Sequence, residues 1–412
     1  MGMTALRESM PTVIRSSFVG DATSSWWARF GSFIIDLGES RTVDDLRADI
    51  ASQLGKDSRV TRVSAGAPGT QWDEDHTFYP VHTSDRTDLI SGADHIHTRR
   101  FGNPITFSVN VPAKNQPTIN GEAPETDRYE VSWDGWTAVV LWARSTGEVH
   151  APTAAGQVVV GILQDALKAM GHSLLVQACS PSCEHLFGHR SMRVSSWEGQ
   201  ELHFDIEFGI AEPNDPVWVK LQGDLGATST VLAIHREVAL PAEAFARLKN
   251  TARRILLIQS NMRRQTGELL SRDYAALLRA DVGFWRTIGH GCQDAWWFVR
   301  GKGPGRPTKR LIAELWLGMA AVESLQQKYA EADRDFNDVI SEWATPELFT
   351  IDLKDDEANV ESLNSDFARA AIENKSTRMD NRGIVIATLA AAIVGSGIGA
   401  AIGGLLTAGG AS

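Results

Sequence analysis

The stretch Tyr129–Ala143, YEVSWDGWTAVVLWA, contains two runs of β-branched and aromatic residues separated by Asp134-Gly135. Such runs favour extended strands, because their side chains pack well on a pleated surface. An Asp-Gly pair between them is a strong short-range signal for a β-hairpin, since both residues tolerate the backbone angles of a tight turn. The segment therefore predicts two antiparallel strands joined by a short turn.

Further strand signals surround this hairpin. Trp26–Leu37 predicts a strand or an apolar helix, and residues 64–100 lack periodicity and predict a long surface loop. Residues 42–54 and 156–171 have helical spacing, and Gly171 is a natural helix stop. The other predicted strands are 105–111, 173–179, 201–210, 217–221 and 229–238. Together these elements predict an α+β domain at residues 25–238, in which an antiparallel or mixed sheet carries helices on one face.

Past Pro241 the apolar period changes to the helical one. Helices are predicted at about 241–271, 274–299 and 308–344, and they would pack as an elongated antiparallel bundle over residues 239–345. An acidic connector with a juxtamembrane helix is predicted at 346–382. Residues 1–24 are expected to be poorly ordered.

Residues 383–412, GIVIATLAAAIVGSGIGAAIGGLLTAGGAS, contain no ionisable side chain. A bilayer core about 30 Å thick needs about 20 apolar residues in a helix, so we expect a transmembrane helix at 383–410. Small residues recur at every fourth position and predict close helix–helix association in lipid. They are Ala387, Ala391, Gly395, Gly399 and Gly403. The alternatives are a buried core helix, which this many glycines would weaken, and a flexible glycine-rich tail.

Three basic residues precede the predicted span, namely Lys375, Arg378 and Arg382. Because positive residues stay on the cytoplasmic side of a membrane, they predict a tail-anchored chain whose bulk faces the cytoplasm. The amino terminus lacks the apolar run of a secretory signal. The net charge of −11 over 412 residues argues against a nucleic-acid partner, since binding to phosphates needs clustered positive charge.

Two groups of residues have the chemistry of metal ligands. Cys179, Cys183, His185 and His189 are ligand types that zinc prefers, although their spacing is unlike that of a zinc finger. A strand-end loop with incidental polar residues is the alternative interpretation. His95 and His97 follow an acidic stretch and form a second candidate group, and a solvated loop is its alternative. Zinc is thus a possible cofactor, and no other is expected.

No phosphate-binding loop, nucleophile elbow or zinc-protease motif occurs, so we do not expect an enzyme. The leading prediction is a single-pass, cytoplasm-facing membrane protein that oligomerises through its glycine-rich span. Its most concrete version is a membrane-perturbing effector of a bacterial conflict or stress system, regulated by an unknown protein or small-molecule trigger. One alternative is an ion channel or transporter subunit with a cytoplasmic regulatory domain. The other is a metal-dependent enzyme that uses the Cys179 or His95 group.

Overall fold

The structure is a computed structural model and describes the chain from Trp26 to Ser376 with gaps. The described residues are 26–38, 46–65, 74–78, 96–124, 126–145, 150–177, 185–197, 206–210, 212, 215–223, 225–280, 305–341, 343 and 347–376. The chain divides into two compact units. The first, which we call the sheet unit, comprises Met1–Phe78, Ile96–Ala246 and Arg334–Lys354; the second, the helical unit, comprises Tyr79–His95, Arg247–Asp333 and Asp355–Ser412.

The elements are numbered along the chain. The strands are β1 (Trp26–Asp36), β2 (Val60–Ser64), β3 (Glu74–Phe78), β4 (Ile96–Arg100), β5 (Ile105–Asn110), β6 (Arg128–Trp133), β7 (Thr137–Ala143), β8 (Ser173–Gln177), β9 (Met192–Trp197), β10 (Ile206–Gly209) and β11 (Val217–Gln222). The helices are α1 (Leu46–Leu54), α2 (Gln157–Ala169), α3 (Ala227–Ala280), α4 (Gly305–Ser341), α5 (Glu347–Glu361) and α6 (Asp366–Ser376). The predicted α+β class is confirmed.

Nine of the described strands form one mixed sheet. Its order is β10-β11-β9-β1-β7-β6-β5-β2, and β8 pairs with the second half of β1. The pair β9 and β11 is parallel, and the other pairs are antiparallel. β3 and β4 form a separate two-stranded ribbon. The central position of β1 explains its composition, because a strand with neighbours on both edges and cover on both faces is buried at nearly every residue.

The predicted hairpin is confirmed as β6 and β7, with Glu130 opposite Leu141. The Asp134 carboxylate accepts hydrogen bonds from the amides of Trp136 (2.9 Å) and Thr137 (2.6 Å), which closes the turn. Gly135 has a φ of +88°, and a Cβ at this position would clash with the carbonyl oxygen of Arg99. The turn therefore requires glycine for both its backbone angle and its close packing.

The main core of the sheet unit lies between the sheet and the helices α1 and α2. Trp27 and Phe33 of β1 lie on this face with Trp133 and Leu163. Phe30 points to the opposite face, since successive strand residues alternate, and packs against Phe245 of α3 and Phe349 of α5. Helical segments therefore cover both faces, and the prediction of helices on one face is wrong.

Residues 229–238 were predicted to form a strand, and this prediction is wrong because they belong to α3. Their β-branched residues favour a strand, but the buried positions Val231, Ile234 and Val238 repeat at helical spacing. The helix also continues through Pro241, which was predicted as a helix start. An interior proline removes one hydrogen bond at a cost of about 3 kcal/mol. Buried neighbours such as Ala239, Ala242 and Phe245 offset that cost.

Two segments contain more regular structure than predicted. The predicted loop at 64–100 includes the ribbon of β3 and β4, in which Asp75 pairs with Arg99 across the strands. These two short strands are mostly polar, so they show no alternation of apolar and polar residues from which a strand could be predicted. Residues 346–382 were predicted as an acidic connector with one juxtamembrane helix, and their described part contains two helices, α5 and α6. Of the helix predicted at 274–299, residues 274–280 end α3, and the rest lies outside the described residues.

The helical unit has its own apolar core. Four helices contribute to it, with Met262 from α3, Leu315 and Met319 from α4, Val360 from α5 and Ile372 from α6. Lys249 and Asp356 form a buried ion pair in this unit, with 2.9 Å between Nζ and Oδ2. The predicted helical region after the sheet is therefore confirmed.

No helix among the described residues is long and apolar enough to cross a membrane. α3 and α4 have ample length, but charged residues recur along both, such as Arg253 on α3 and Lys328 and Asp333 on α4. The transmembrane helix predicted at 383–410 lies outside the described residues, as do residues 1–24.

Candidate functional site

His189 and Asp352 form a short polar contact in the sheet unit. The Nδ1 atom of His189 lies 2.5 Å from Oδ1 of Asp352, and the backbone N–H of His189 donates to Oδ2 at 3.2 Å. The Asp352 side chain is 1% exposed, whereas that of His189 is 33% exposed. Because a carboxylate only accepts hydrogen bonds, Nδ1 carries the proton, and in the neutral ring Nε2 carries the lone pair.

A second histidine ring lies beside this pair. The ring centroids of His185 and His189 are 5.0 Å apart, and the ring planes are inclined by 43°. The structure thus brings together the two histidines of the first predicted ligand group. Cys179 and Cys183 lie outside the described residues.

Arg190 adds a positive charge among three carboxylates. Its side chain is buried, and burial lowers the pKa of the guanidinium, while the negative charges of Glu347, Asp215 and Asp352 oppose that change. We call these six residues, from three separate stretches of the chain, the His189 cluster. They are His185, His189, Arg190, Asp215, Glu347 and Asp352.

The loop that carries the two histidines is fixed to the core. Phe187 packs edge-on against Phe33 of β1, with 5.0 Å between the ring centroids. The amide of Gly188 donates to the carbonyl of Phe30 at 2.9 Å, and a Cβ on Gly188 would lie 2.8 Å from that phenylalanine ring. This close approach requires glycine at position 188. It fixes the backbone of the loop between His185 and His189.

Sequence reasoning identified the two histidines but missed Asp352 and Arg190. Asp352 is 163 residues from His189 and lies in a segment that reads as an acidic connector. The sequence did contain a signal for Asp352, because it lies three residues after the apolar Phe349 and one before Leu353, on the buried face of α5. An acidic residue on the apolar face of a helix implies a polar partner.

A second group of charges is more deeply enclosed, and we call it the buried charge cluster. Arg100 contacts Asp134 at 3.4 Å and Glu243 at 2.7 Å. The ring of His235 lies between the carbonyl of Ser132, 3.1 Å from Nδ1, and Oδ2 of Asp134, 3.3 Å from Nε2. The second contact has the distance of an ion pair without the alignment of a hydrogen bond.

The buried charge cluster serves to hold the fold rather than to bind a ligand. Both ring nitrogens of His235 face protein acceptors, and the side chain is 2% exposed. Burial raises the pKa of the Asp134 carboxyl, but the charge of His235, the Thr137 amide and the charge of Arg100 together lower it more, so the net shift is downward. An ionised Asp134 therefore joins the β6–β7 turn to α3.

Of the second predicted ligand group, only His97 lies in the described part of the chain, on β4. Thr77 pairs with His97 and His76 with Thr98 in the ribbon, so His76 and His97 point to opposite faces. The His76 ring instead packs edge-on against Trp136. His95 lies outside the described residues. Those residues contain no group of three or more histidine, cysteine or acidic side chains arranged to hold a metal.

A cavity of about 120 Å³ lies in the helical unit. Its lining includes Met262, Met319, Val322, Gln259, Gln326 and Asn364. Sites for small molecules usually enclose about 300–1,000 Å³, so this pocket is smaller than a typical ligand site.

Nearly all residues of the predicted membrane segment lie outside the described part of the chain. Lys375 is on α6, whereas Arg378, Arg382 and the small-residue ladder from Ala387 to Gly403 lie outside the described residues. No protein-family model, curated protein or solved structure matches the chain.

Proposed function

We propose that this chain is a membrane-anchored protein whose residues 383–410 enter a bilayer and associate with the same residues of other copies. The bulk of the chain would face the cytoplasm. One observation carries the proposal: residues 383–412 hold no ionisable side chain, and large aliphatic residues recur throughout 384–406. A helix of about 28 residues is roughly 42 Å long, which exceeds the roughly 30 Å of a bilayer core.

The energetics favour insertion by a modest margin. Large aliphatic residues each contribute about −0.3 to −0.6 kcal/mol at the centre of a membrane helix, so about ten give roughly −3 to −6 kcal/mol. Glycine adds little to this sum and weakens a helix in water. A span of this kind gains stability from association with other spans, and its insertion is open to regulation.

The small-residue ladder supplies a surface for that association. In a helix over 383–410, one face would carry Ala387, Ala391, Gly395, Gly399 and Gly403. Small residues at every fourth position let two backbones approach closely, which favours packing between helices where lipid provides no hydrophobic drive. The preceding Lys375, Arg378 and Arg382 match the positive residues that remain on the cytoplasmic side.

Our most specific version is a regulated effector that perturbs a membrane, as a bacterial conflict or stress response requires. In this version the sheet unit receives an unidentified protein or small-molecule trigger, and the assembled spans permeabilise the bilayer. The composition supports it, because a long, charged, two-unit body precedes a single uncharged stretch rich in glycine.

Membrane attachment is tested by alkaline carbonate extraction of cell membranes that contain the full chain or a chain ending at Arg382. We expect the full chain in the pellet and the shorter chain in the supernatant. Full-length protein released by carbonate would refute membrane insertion.

Span association is tested with matched double variants in a liposome dye-release assay. Gly399→Leu with Gly403→Leu fills the ladder, whereas Gly397→Leu with Gly404→Leu adds the same bulk off the ladder. We expect the first pair to reduce both dye release and cross-linked oligomers, and the second pair to retain them. Equal effects of the two pairs would refute association through the small-residue ladder. Equal dye release by the full chain and by the chain ending at Arg382 would refute the effector function.

A further inference from the structure

We propose that the sheet unit binds a phosphate group between Arg29 of β1 and the first turn of α2, where Arg29 and Gln157 donate hydrogen bonds to it. The group is either free inorganic phosphate or the phosphate end of a larger molecule. The inference does not rest on the membrane proposal, because neither its residues nor its readout involve residues 383–412.

Arg29 is a buried cation, and no carboxylate contacts it among the described residues. Its residue is 5% exposed. Nη1 donates to the carbonyl of Thr153 at 2.7 Å, and Nη2 donates to that of Ala151 at 3.3 Å. Burial lowers the pKa of Arg29 to about 10, so the guanidinium stays charged at neutral pH. The two neutral carbonyls accept hydrogen bonds without balancing this charge, whereas a buried arginine is usually paired with an anion.

Tyr129 connects Arg29 with the start of α2 but supplies no negative charge at neutral pH. Its hydroxyl interacts electrostatically with Arg29, accepts a hydrogen bond from the amide of Gly156, and donates to Oε1 of Gln116 at 2.7 Å. Burial raises the pKa of Tyr129 to about 12, so the phenol is neutral at pH 7. The charge of Arg29 therefore stays unbalanced on this side as well.

The first turn of α2 adds positive potential at the same place. The helix begins at Gln157, whose amide donates to the carbonyl of Ala154, next to the Thr153 carbonyl that Arg29 contacts. No side chain caps this end of the helix, and its first turn contains no acidic residue. The N–H groups and the dipole at such an end favour an anion.

Two buried side-chain donors at this turn have no acceptor in the described part of the chain. They are Nε of Arg29 and Nε2 of Gln157, a residue that is 7% exposed. Buried donors usually have a partner, because an unsatisfied one costs free energy. Phosphate oxygens accept several hydrogen bonds and match the geometry of a guanidinium. A phosphate group would thus supply both the missing acceptors and the missing negative charge.

The test is a titration of the full chain, purified in a mild detergent, with sodium phosphate by calorimetry, and with sodium chloride at equal ionic strength as the reference. We expect one phosphate site per chain. Phosphate should also raise the midpoint of thermal unfolding above that in chloride, because it binds the folded chain. Phenyl phosphate tests the source of the group: its binding indicates the end of a larger molecule, and binding of inorganic phosphate alone indicates the free anion. No binding of either compound would refute the proposal.

Two variants test the assigned donors. Gln157→Leu removes Nε2 and keeps the size of the side chain, and Arg29→Lys keeps the charge but removes Nε. We expect at least about tenfold weaker phosphate binding in each, as loss of a hydrogen bond to a charged group produces. Arg62→Gln removes an exposed arginine of the same unit and is the matched control.

Circular dichroism and unfolding without phosphate separate loss of the site from loss of the fold. Gln157→Leu is expected to unfold no earlier than the original chain in chloride, because it removes an unsatisfied buried donor. Unchanged phosphate affinity in the folded Gln157→Leu variant would refute the assignment. An equal loss of affinity in Arg62→Gln would also refute it, since it would indicate an adventitious ion only.

Discussion

Nε2 of His235 on α3 lies 3.3 Å from Oδ2 of Asp134 in the β6–β7 turn, and less than 4% of either side chain is exposed. The other ring nitrogen lies against the Ser132 carbonyl. The ring therefore lies between two oxygen atoms from β6 and from the turn that follows it. A turn whose Asp-Gly pair was predicted from local geometry thus also holds a buried ionic contact with a helix a hundred residues later.

Replacement of Asp134 by asparagine is expected to lower the free energy of unfolding by about 3 kcal/mol or more at pH 7, since the charges of His235 and Arg100 lose their carboxylate. Asparagine keeps an oxygen for the two turn amides, so the loss reports on charge. The measurement is urea unfolding, with Asp165→Asn as a surface control whose ion pair with Arg59 is largely solvated.

The effect of Asp134 depends on pH in a defined direction. Its folded-state pKa is lowered, so its stabilisation is full above the unfolded pKa of about 3.9 and is lost as pH falls through the folded value. The difference between the original chain and Asp134→Asn should therefore shrink below about pH 4. A difference that stays constant from pH 7 to pH 3 would contradict an ionised Asp134.

Glycine substitutions test the packing of the same turn. Gly135→Ala is expected to destabilise the protein by more than about 3 kcal/mol, because its φ is +88° and the added Cβ meets the Arg99 carbonyl. Gly171→Ala has a similar φ of +81° but open space around the added atom, so we expect a loss of about 1 kcal/mol. Similar melting temperatures for both variants would show that the close approach is unimportant.

The buried pair of Lys249 and Asp356 is expected to be sensitive to single replacement and tolerant of double replacement. Lys249→Met alone should cost about 3–5 kcal/mol, because Asp356 is left as an uncompensated buried charge. Lys249→Met combined with Asp356→Leu should recover most of that loss. Thermal unfolding of both single variants and the double variant forms a complete cycle, and additive losses would rule out direct coupling.

Glu357→Gln is expected to stabilise the protein at neutral pH. Partial burial raises the pKa of this carboxyl, and the charges of Asp333, Glu361 and Asp356 raise it further. An upward shift means that the ionised group disfavours folding above its folded pKa, and that this penalty vanishes below the unfolded pKa of about 4.3. The gain should be a few tenths of a kcal/mol, because solvent screens the group.

Glu373→Gln removes the same charge elsewhere in the helical unit and serves as the control for Glu357→Gln. Unfolding midpoints at pH 7 and pH 4 provide the comparison. A gain that is larger at pH 4 would contradict the direction of the shift.

Local patterns identified the elements whose structure is decided locally. The hairpin follows from Asp134-Gly135, and α2 from its apolar face and the positive φ of Gly171. Both depend on residues a few positions apart, which is the range that propensity and periodicity describe. The mixed sheet with following helices was predictable for the same reason.

Other features depend on tertiary contacts that leave no local pattern. Residues 229–238 have strand-like composition, yet packing of Ile234 and Val238 selects a helix. Of the metal candidates, His185 and His189 are close in sequence, whereas the contact with Asp352 spans 163 residues. The order of strands around β1 likewise joins segments that no short window contains.

The central place of β1 has a consequence for biosynthesis. Its neighbour β7 ends about a hundred residues later, and β8 and β9 later still. Protein synthesis adds roughly 5–20 residues per second, so β7, the first partner of β1, leaves the ribosome about 5–20 s after β1. During this interval β1, an apolar strand with two adjacent tryptophans, has no strand to pair with. We therefore expect the nascent chain to depend on chaperones until β7 is available.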